Sequence, residues 1–472
     1  MLPAQIYDAL LDIVGSAYLR IEPSQLVPYS YDATPLFQHL PDAVVFPGST
    51  DEVARILRLC AQTNTKIVPR GNGSGLSGGA VPIEGGIVLE MNRLHALDEI
   101  DTANLTATFG PGLVTSQLSK AVEAQGLFYP PDPGSVVISS LGGNVAECAG
   151  GMRGLKYGVT KDYVLGLEAV LPNGEVIRTG GKNTKDVAGY DLTKLLIGSE
   201  GTLAVITEIT VKLLPKPAAK QTAMALFDTL SQAAAAVAAI IAGRILPATL
   251  EFLDQPTLKA VEAYTHAGLP TDVAALLLIE QDGAAVVVQE EMERIAAICR
   301  QQGAREVRLA RDAQEGEALM SARRATLPAL SRLRPTTILE DATVPRAQLA
   351  TMVERINAIA AHHGVMISTF GHAGDGNLHP TALTDARNPE EIEAVEQAFD
   401  DIFRTALQLG GTITGEHGVG LAKAAYMEVR FGKAAIEVMK GIKRAFDPQG
   451  ILNPGKMFAA QTPRRVVVNH DP

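Results

Sequence analysis

Two glycine-framed stretches hold the residue types best suited to chemistry: Gly371-His372-Ala-Gly-Asp-Gly-Asn377-Leu-His379, and further on Gly415-Glu416-His417-Gly418. They carry three of the chain's nine histidines together with an acid and an amide. Two imidazoles and a carboxylate, His372, His379 and Glu416, make a three-ligand set for a divalent cation with a position left open. His417, beside one ligand, is an imidazole available to move protons. Two glycine-rich turns with surface histidines would be the competing reading. Strand-like runs lead into both stretches and favour the site.

Composition bounds what such a site serves. At 472 residues the chain exceeds one compact core, so two or three domains are expected. Hydrophobic residues at 46% with 20% charged are ordinary for a folded soluble protein. A net charge of −11 and the lack of a basic stripe exclude a nucleic-acid partner. Three cysteines, Cys60, Cys148 and Cys299, lie too far apart for a disulfide framework or a self-contained iron–sulfur cluster, and they fit a reducing compartment. No secretory signal opens the chain, and the apolar run at 233–241 is too short to span a bilayer. A cytoplasmic location is therefore expected, with at most peripheral membrane association.

The elements that must position these residues follow from periodicity and punctuation. Ile6, Leu10, Ile13 and Val14 keep helical spacing, and residues 42–47 read as a strand. Ser49-Thr-Asp-Glu52 reads as a helix start, and Lys66-Ile-Val-Pro-Arg70 as a strand entering a glycine loop. Short β-rich runs then alternate with turns to residue 214, interrupted by helices expected near 115–125 and 186–197. Pro215-Lys-Pro217 marks a domain boundary. Beyond it, alanine-rich helices (231–242, 290–302, 346–362, 389–409) alternate with strands (275–280, 365–370, 412–414), the pattern of an α+β domain. The expected segments are 1–36 helical, 37–216 cofactor-binding, 217–425 substrate cap, 426–458 C-terminal helical and 459–472 a loose tail.

Gly73-Ser-Gly75-Leu-Ser-Gly78 matches the dinucleotide fingerprint G-x-G-x-x-G letter for letter. That fingerprint needs the loop to open a helix, and here Pro82, Gly85 and Gly86 deliver the chain into a strand at 87–91. A nicotinamide-dependent dehydrogenase is disfavoured accordingly. The loop suits instead a nest of backbone N–H groups for a pyrophosphate, with Arg70 adding charge.

Pro69-Arg-Gly-Asn-Gly-Ser-Gly-Leu-Ser77, Pro131-Asp-Pro-Gly-Ser135, Gly142-Gly-Asn-Val-Ala146, Leu155-Lys-Tyr-Gly158 and Gly198-Ser-Glu-Gly-Thr202 together resemble the PCMH-type FAD-binding domain of the vanillyl-alcohol-oxidase superfamily. The two histidine stretches and Asn453-Pro-Gly-Lys456 are similar to its branch of D-lactate dehydrogenases and flavin-binding glycolate oxidase chains. The resemblance implies an α+β chain: a two-subdomain FAD-binding domain, a cap with a ferredoxin-like sheet plus helices, and a short C-terminal helical segment. It implies non-covalent FAD, since the first loop carries no histidine and Cys148 reads as a packing residue. The pyrophosphate loop would be Arg70, Gly71, Asn72, Gly73, Ser74, Gly75, Leu76 and Ser77. Pro133, Gly134, Ser135, Gly142, Gly143, Asn144, Gly150, Gly151, Tyr157, Gly158, Glu200, Gly201, Ile206 and Asn453 would line the flavin.

In the cap, the resemblance makes His372, His379 and Glu416 the metal ligands, Asn377 a neighbour of substrate or metal, His417 the base and Arg323 the carboxylate-binding cation. The metal would be zinc, manganese or iron. The reaction implied is oxidation of a short D-2-hydroxy acid, glycolate or D-lactate. Apolar Leu327 and Leu339 stand where relatives acting on 2-hydroxyglutarate carry polar residues, which disfavours that acid; a D-2-hydroxyglutarate or D-malate dehydrogenase of the same family is the first alternative. Electrons would leave to an external acceptor or to an electron-transfer or iron–sulfur partner subunit. A non-catalytic flavin-binding subunit is the alternative, and the cap motifs argue against it.

Overall fold

The computed structural model describes residues 2–458; the segment expected to be a loose tail, 459–472, lies outside the described residues. The described chain divides into two compact units: residues 2–149, 159–216 and 416–458 form the first, and residues 150–158 and 217–415 the second. Where the sequence suggested a cap of residues 217–425, the chain already returns to the first unit at Glu416, and the excursion 150–158 joins the second.

The first unit contains two principal sheets. In one, Ala43–Val45, Ile87–Glu90 and Ile67–Arg70 are parallel neighbours, and Leu19–Arg20 adds an antiparallel edge. Parallel strands need helical crossovers that cover their faces. Thr50–Thr63 supplies one, capped by Ser49, whose side chain accepts the Glu52 amide, and ended by Asn64 in the left-handed region. Its buried stripe Val53, Ile56, Leu57 and Cys60 shares one core with Ile6, Leu10 and Val14 of the opening helix Ala4–Val14. The second sheet is wholly antiparallel: Leu97–Asp101, Thr106–Phe109, Val205–Lys212, Val164–Val170 and Val176–Gly180, in that spatial order. The C-terminal segment is tied back to the first sheet, where Leu452 bridges Ile67 and the Ile67 amide donates to Ile451 O at 2.9 Å.

The second unit is built on one antiparallel sheet. Its spatial order is Glu306–Leu309, Ala219–Phe227, Ala275–Gly283, Thr249–Asp254, Met366–His372, Asn377–Thr384 and Thr336–Leu339, with Ala342–Thr343 pairing Asn377–Thr384. Helices including Leu230–Ala242, Ala285–Gln301 and Leu349–His363 pack on it. Thr249–Asp254 and Asn377–Thr384 are buried at every position, so they lack the alternation that marks a half-exposed strand.

Several sequence expectations are corrected. The helix expected near 186–197 shrinks to Leu192–Leu196. Residues 412–414 make only an isolated bridge, Thr412 to Thr343, in place of a strand. Leu141–Glu147, where the sequence reading placed no helix, is a helix. Its Gly142 exists for space, since a Cβ there would fall 2.5 Å from Pro111 Cβ. Among the described residues no helix is long and apolar enough to cross a membrane.

Candidate active site

Strand register assembles the histidines. Met366–His372 and Asn377–Thr384 form a hairpin in which Phe370 faces His379 and His372 faces Asn377. Residues two apart on a strand share a face, so His372 and His379 become diagonal neighbours on one face. Their ring centroids lie 5.0 Å apart, edge to face. The connection 373–376 closes through Gly376 at φ +83°, where a Cβ would collide with Val344 O at 2.1 Å.

On the other side of Met366–His372, Glu251 stands directly opposite His372. Its Oε1 lies 2.7 Å from His372 Nδ1. A carboxylate in such a pair accepts, which puts the ring proton on Nδ1 and leaves Nε2 with its lone pair. Glu251 Oε2 pairs with Arg323 Nη2 at 2.6 Å, and the guanidinium lies over the Phe370 ring. Burial alone would raise the Glu251 carboxyl, but His372 and Arg323 beside it and the His372 hydrogen bond hold it below its usual range. Glu251 therefore stays ionised at neutral pH. Glu251 is the residue the sequence motifs did not reveal; its signal was an acid between Leu250 and Phe252 in the strand Thr249–Asp254.

Glu416 arrives by another route. Asp341, fully buried, accepts the Gly415 amide at 2.7 Å and the Thr414 hydroxyl at 3.1 Å, fixing the chain one residue before Glu416. Ligand atoms of His372, His379 and Glu416 all gather within 4.8 Å of one another. A small divalent cation would need such atoms at about 2.0–2.2 Å. Asn377 is fixed by the Thr343 hydroxyl, which donates to its Oδ1 at 3.0 Å. His417 lies beside Glu416, with Nε2 4.0 Å from Oε1. The turn after it is gripped by Glu200, whose carboxylate accepts the Val419 and Gly420 amides at 2.6 and 2.7 Å.

Because Glu251 orients one ligand and balances Arg323, its exchange has a separable effect. Glu251→Gln is expected to weaken divalent-metal binding by about 10–100-fold, as measured by competition with a chelating dye. A fully retained affinity would show that His372 needs no anionic partner.

The first unit carries the glycine loop. Arg70 is buried over Tyr29, 3.7 Å from Glu90, and its Nε and Nη1 have no hydrogen-bond partner. Ser77 Oγ is likewise buried without one. Gly73, at φ +65°, leaves the space in which the Arg70 guanidinium lies, 2.0 Å from where a Cβ would stand. Buried donors left unsatisfied beside an open-backbone loop are what a pyrophosphate would complete, so the residues fit FAD.

Other expected flavin contacts are otherwise engaged. Asn72 donates to Ile138 O and accepts from Asn92, and Asn144 donates to Thr115 Oγ1 at 2.7 Å. The Glu200 carboxylate holds the 419–420 amides, so it acts through that turn. Asn453 donates to Gly79 O and Glu200 O and keeps a buried Oδ1 without a partner. Gly150, Gly151, Tyr157 and Gly158 belong to the second unit, where Tyr157 OH donates to Asp282 at 2.8 Å. Gly71, Ser74, Gly75 and Leu76 lie in the loop itself, and Gly201 turns at φ +65°. Ile206 is buried in Val205–Lys212. Pro133 is buried, whereas Gly134 and Ser135 are more accessible. Gly143, like Gly142, belongs to the helix Leu141–Glu147.

The fold and these loops define a flavin-dependent oxidoreductase. Family models bear this out: "FAD binding domain" matches residues 41–180, and "FAD linked oxidases, C-terminal domain" matches residues 216–457. The chain belongs to the FAD-linked oxidases. It is 56% identical over 467 residues to "Glycolate oxidase subunit GlcD" of Bacillus subtilis (strain 168), covering 99% of both chains. It is 40% identical to the protein of that name in Escherichia coli (strain K12), covering 92% of this chain and 86% of that one. Identity to a D-lactate dehydrogenase of Archaeoglobus fulgidus is 38%, over 88% of this chain and 90% of that one. Among solved structures, p-cresol methylhydroxylase with substrate bound superposes with a TM-score of 0.81 at 19% identity, covering 96% of each chain, which speaks for the fold alone.

Proposed function

We propose that the chain oxidises a short D-2-hydroxy acid, glycolate or D-lactate, to the 2-oxo acid. The observation that carries this reading is the His372, His379 and Glu416 group, backed by the Glu251–Arg323 pair. Relatives named as glycolate oxidase and D-lactate dehydrogenase chains support the substrate class. Non-covalent FAD, when bound, supplies a two-electron acceptor at N5 for the hydride from the substrate's α-carbon. A divalent cation, zinc, manganese or iron, would supply Lewis acidity toward the α-hydroxyl.

The chain's own residues do the rest. His372, His379 and Glu416 would hold the cation. Arg323 attracts the substrate carboxylate; with Nη2 committed to Glu251, its Nε, which has no hydrogen-bond partner, and the remaining edge are what it offers. Asn377, fixed by Thr343, orients the bound acid. His417 takes the hydroxyl proton as the carbonyl forms, so the substrate loses one hydride and one proton. Leu339, buried, and Leu327 offer no polar group to a second carboxylate, which favours a short acid. Electrons then leave to an external acceptor or a partner subunit.

Anaerobic mixing with D-lactate, L-lactate, glycolate, D-2-hydroxyglutarate and D-malate tests the reading. Bleaching of the flavin absorbance by glycolate or D-lactate is the expected result. Bleaching only by the two dicarboxylates would overturn the short-substrate assignment.

A further inference from the structure

The glycine loop holds an acid as well as donors. The segment before the first parallel strand folds onto the loop, with the Ala33 amide donating to Gly75 O at 3.0 Å. Asp32 is buried there, 5% exposed. Its Oδ1 accepts the Thr34 amide at 3.1 Å. Its Oδ2 is buried and has no hydrogen-bond partner. That oxygen would sit 3.9 Å from a Cβ at Gly75, so it lies along the face of the loop that is bare of side chains. Arg70 Nε and Nη1 and Ser77 Oγ, of the same loop, are buried and without partners as well. The donors await an anion, yet an ionised carboxylate among them would repel one.

We propose that Asp32 is a cofactor-binding residue that meets the FAD pyrophosphate as a neutral acid, with Oδ2 donating a hydrogen bond. FAD is then bound together with one proton that the free protein does not hold at alkaline pH. Burial, the largest influence, pushes Asp32 up to about 7, against the pull of the Thr34 amide, Arg70, the Gly78 amide and Lys456. The charged and titratable groups around it are the cations Arg70 and Lys456, the buried acid Glu147 and, across Arg70, Glu90, Tyr29 and Tyr31. A pyrophosphate adds negative charge and raises the acid further. The sign follows: below about 7 the acid is neutral and FAD is held firmly, and above it FAD affinity falls as pH rises.

The test equilibrates holoenzyme by dialysis between pH 6 and pH 9 and measures released FAD by its fluorescence. The wild-type dissociation constant should rise with pH, approaching about tenfold per pH unit once the acid of the free protein is ionised. Asp32→Asn keeps a donor without charge. Its dissociation constant should stay within about threefold of the wild-type low-pH value across the range. An unchanged pH slope in D32N overturns the proposal and moves the proton to Glu90 or Glu147. Loss of FAD from folded D32N at every pH, with folding checked by circular dichroism, also overturns it. A wild-type measurement is independent of folding: at pH 8, in weak buffer with an indicator dye, FAD release should free close to one proton. No proton release would contradict the proposal.

Discussion

Replacing His417 with asparagine is expected to lower kcat by about 10²–10⁴-fold, the usual contribution of a positioned general base, while flavin content stays at the wild-type level. The separation follows from what holds the turn. Gly418 adopts φ +84°, and Glu200 grips the Val419 and Gly420 amides, so the backbone keeps its course without the imidazole. Asparagine preserves polarity and roughly the reach of one ring nitrogen, but it has no basic site. Steady-state kinetics with D-lactate or glycolate, alongside the flavin spectrum, would check both halves. Near-normal turnover would remove His417 from the role of base.

The second large effect concerns the ligands. His372→Ala and Glu416→Ala should each abolish stoichiometric metal binding and reduce turnover by about 10²–10³-fold or more, corresponding to several kcal/mol of lost polarisation. FAD should remain, because neither substitution touches the orphaned donors that fit its pyrophosphate, on Arg70 and Ser77. The His372 substitution should also lower stability. Removing His372 takes from Glu251, which is fully buried, one of its two partners, at a cost of about 1–3 kcal/mol. Metal content by elemental analysis, thermal melting and the flavin spectrum separate these outcomes. Loss of flavin in both variants would show that the ligands also support the cofactor.

The candidate ligands were legible in sequence because their chemistry is local: histidine, acid and glycine in two short segments. Their support was not. Glu251 reaches His372 only through the register of two strands far apart in the chain, and Thr249–Asp254 is buried on both faces, so its polar positions are not the solvent face that their pattern suggests. Arg323 read as an open cation for substrate, and the structure shows half of that charge engaged by Glu251. Glycine content misled in the other direction. Gly142 and Gly143 lower helix propensity, but close approach to Pro111 favours a helix there without Cβ atoms. Side chains expected at the flavin, Asn144 and Glu200, are hydrogen-bonded within the protein, a distinction that a motif match does not carry. The excursion 150–158 joins the second unit because Leu155 packs where a Gly374 side chain would stand and Tyr157 reaches Asp282.

On the proposed reading, a cation on His372, His379 and Glu416 prepares a 2-hydroxy acid for oxidation by FAD. Anaerobic stopped-flow reduction of the flavin by D-lactate and by glycolate, before chelation, after chelation and after returning zinc or manganese, tests it most directly. The expected result is rapid bleaching by at least one acid in the native enzyme, bleaching slowed by about 10²-fold or more after chelation with FAD still bound, and recovery on adding the metal. Equal rates of flavin reduction with and without the metal would contradict it.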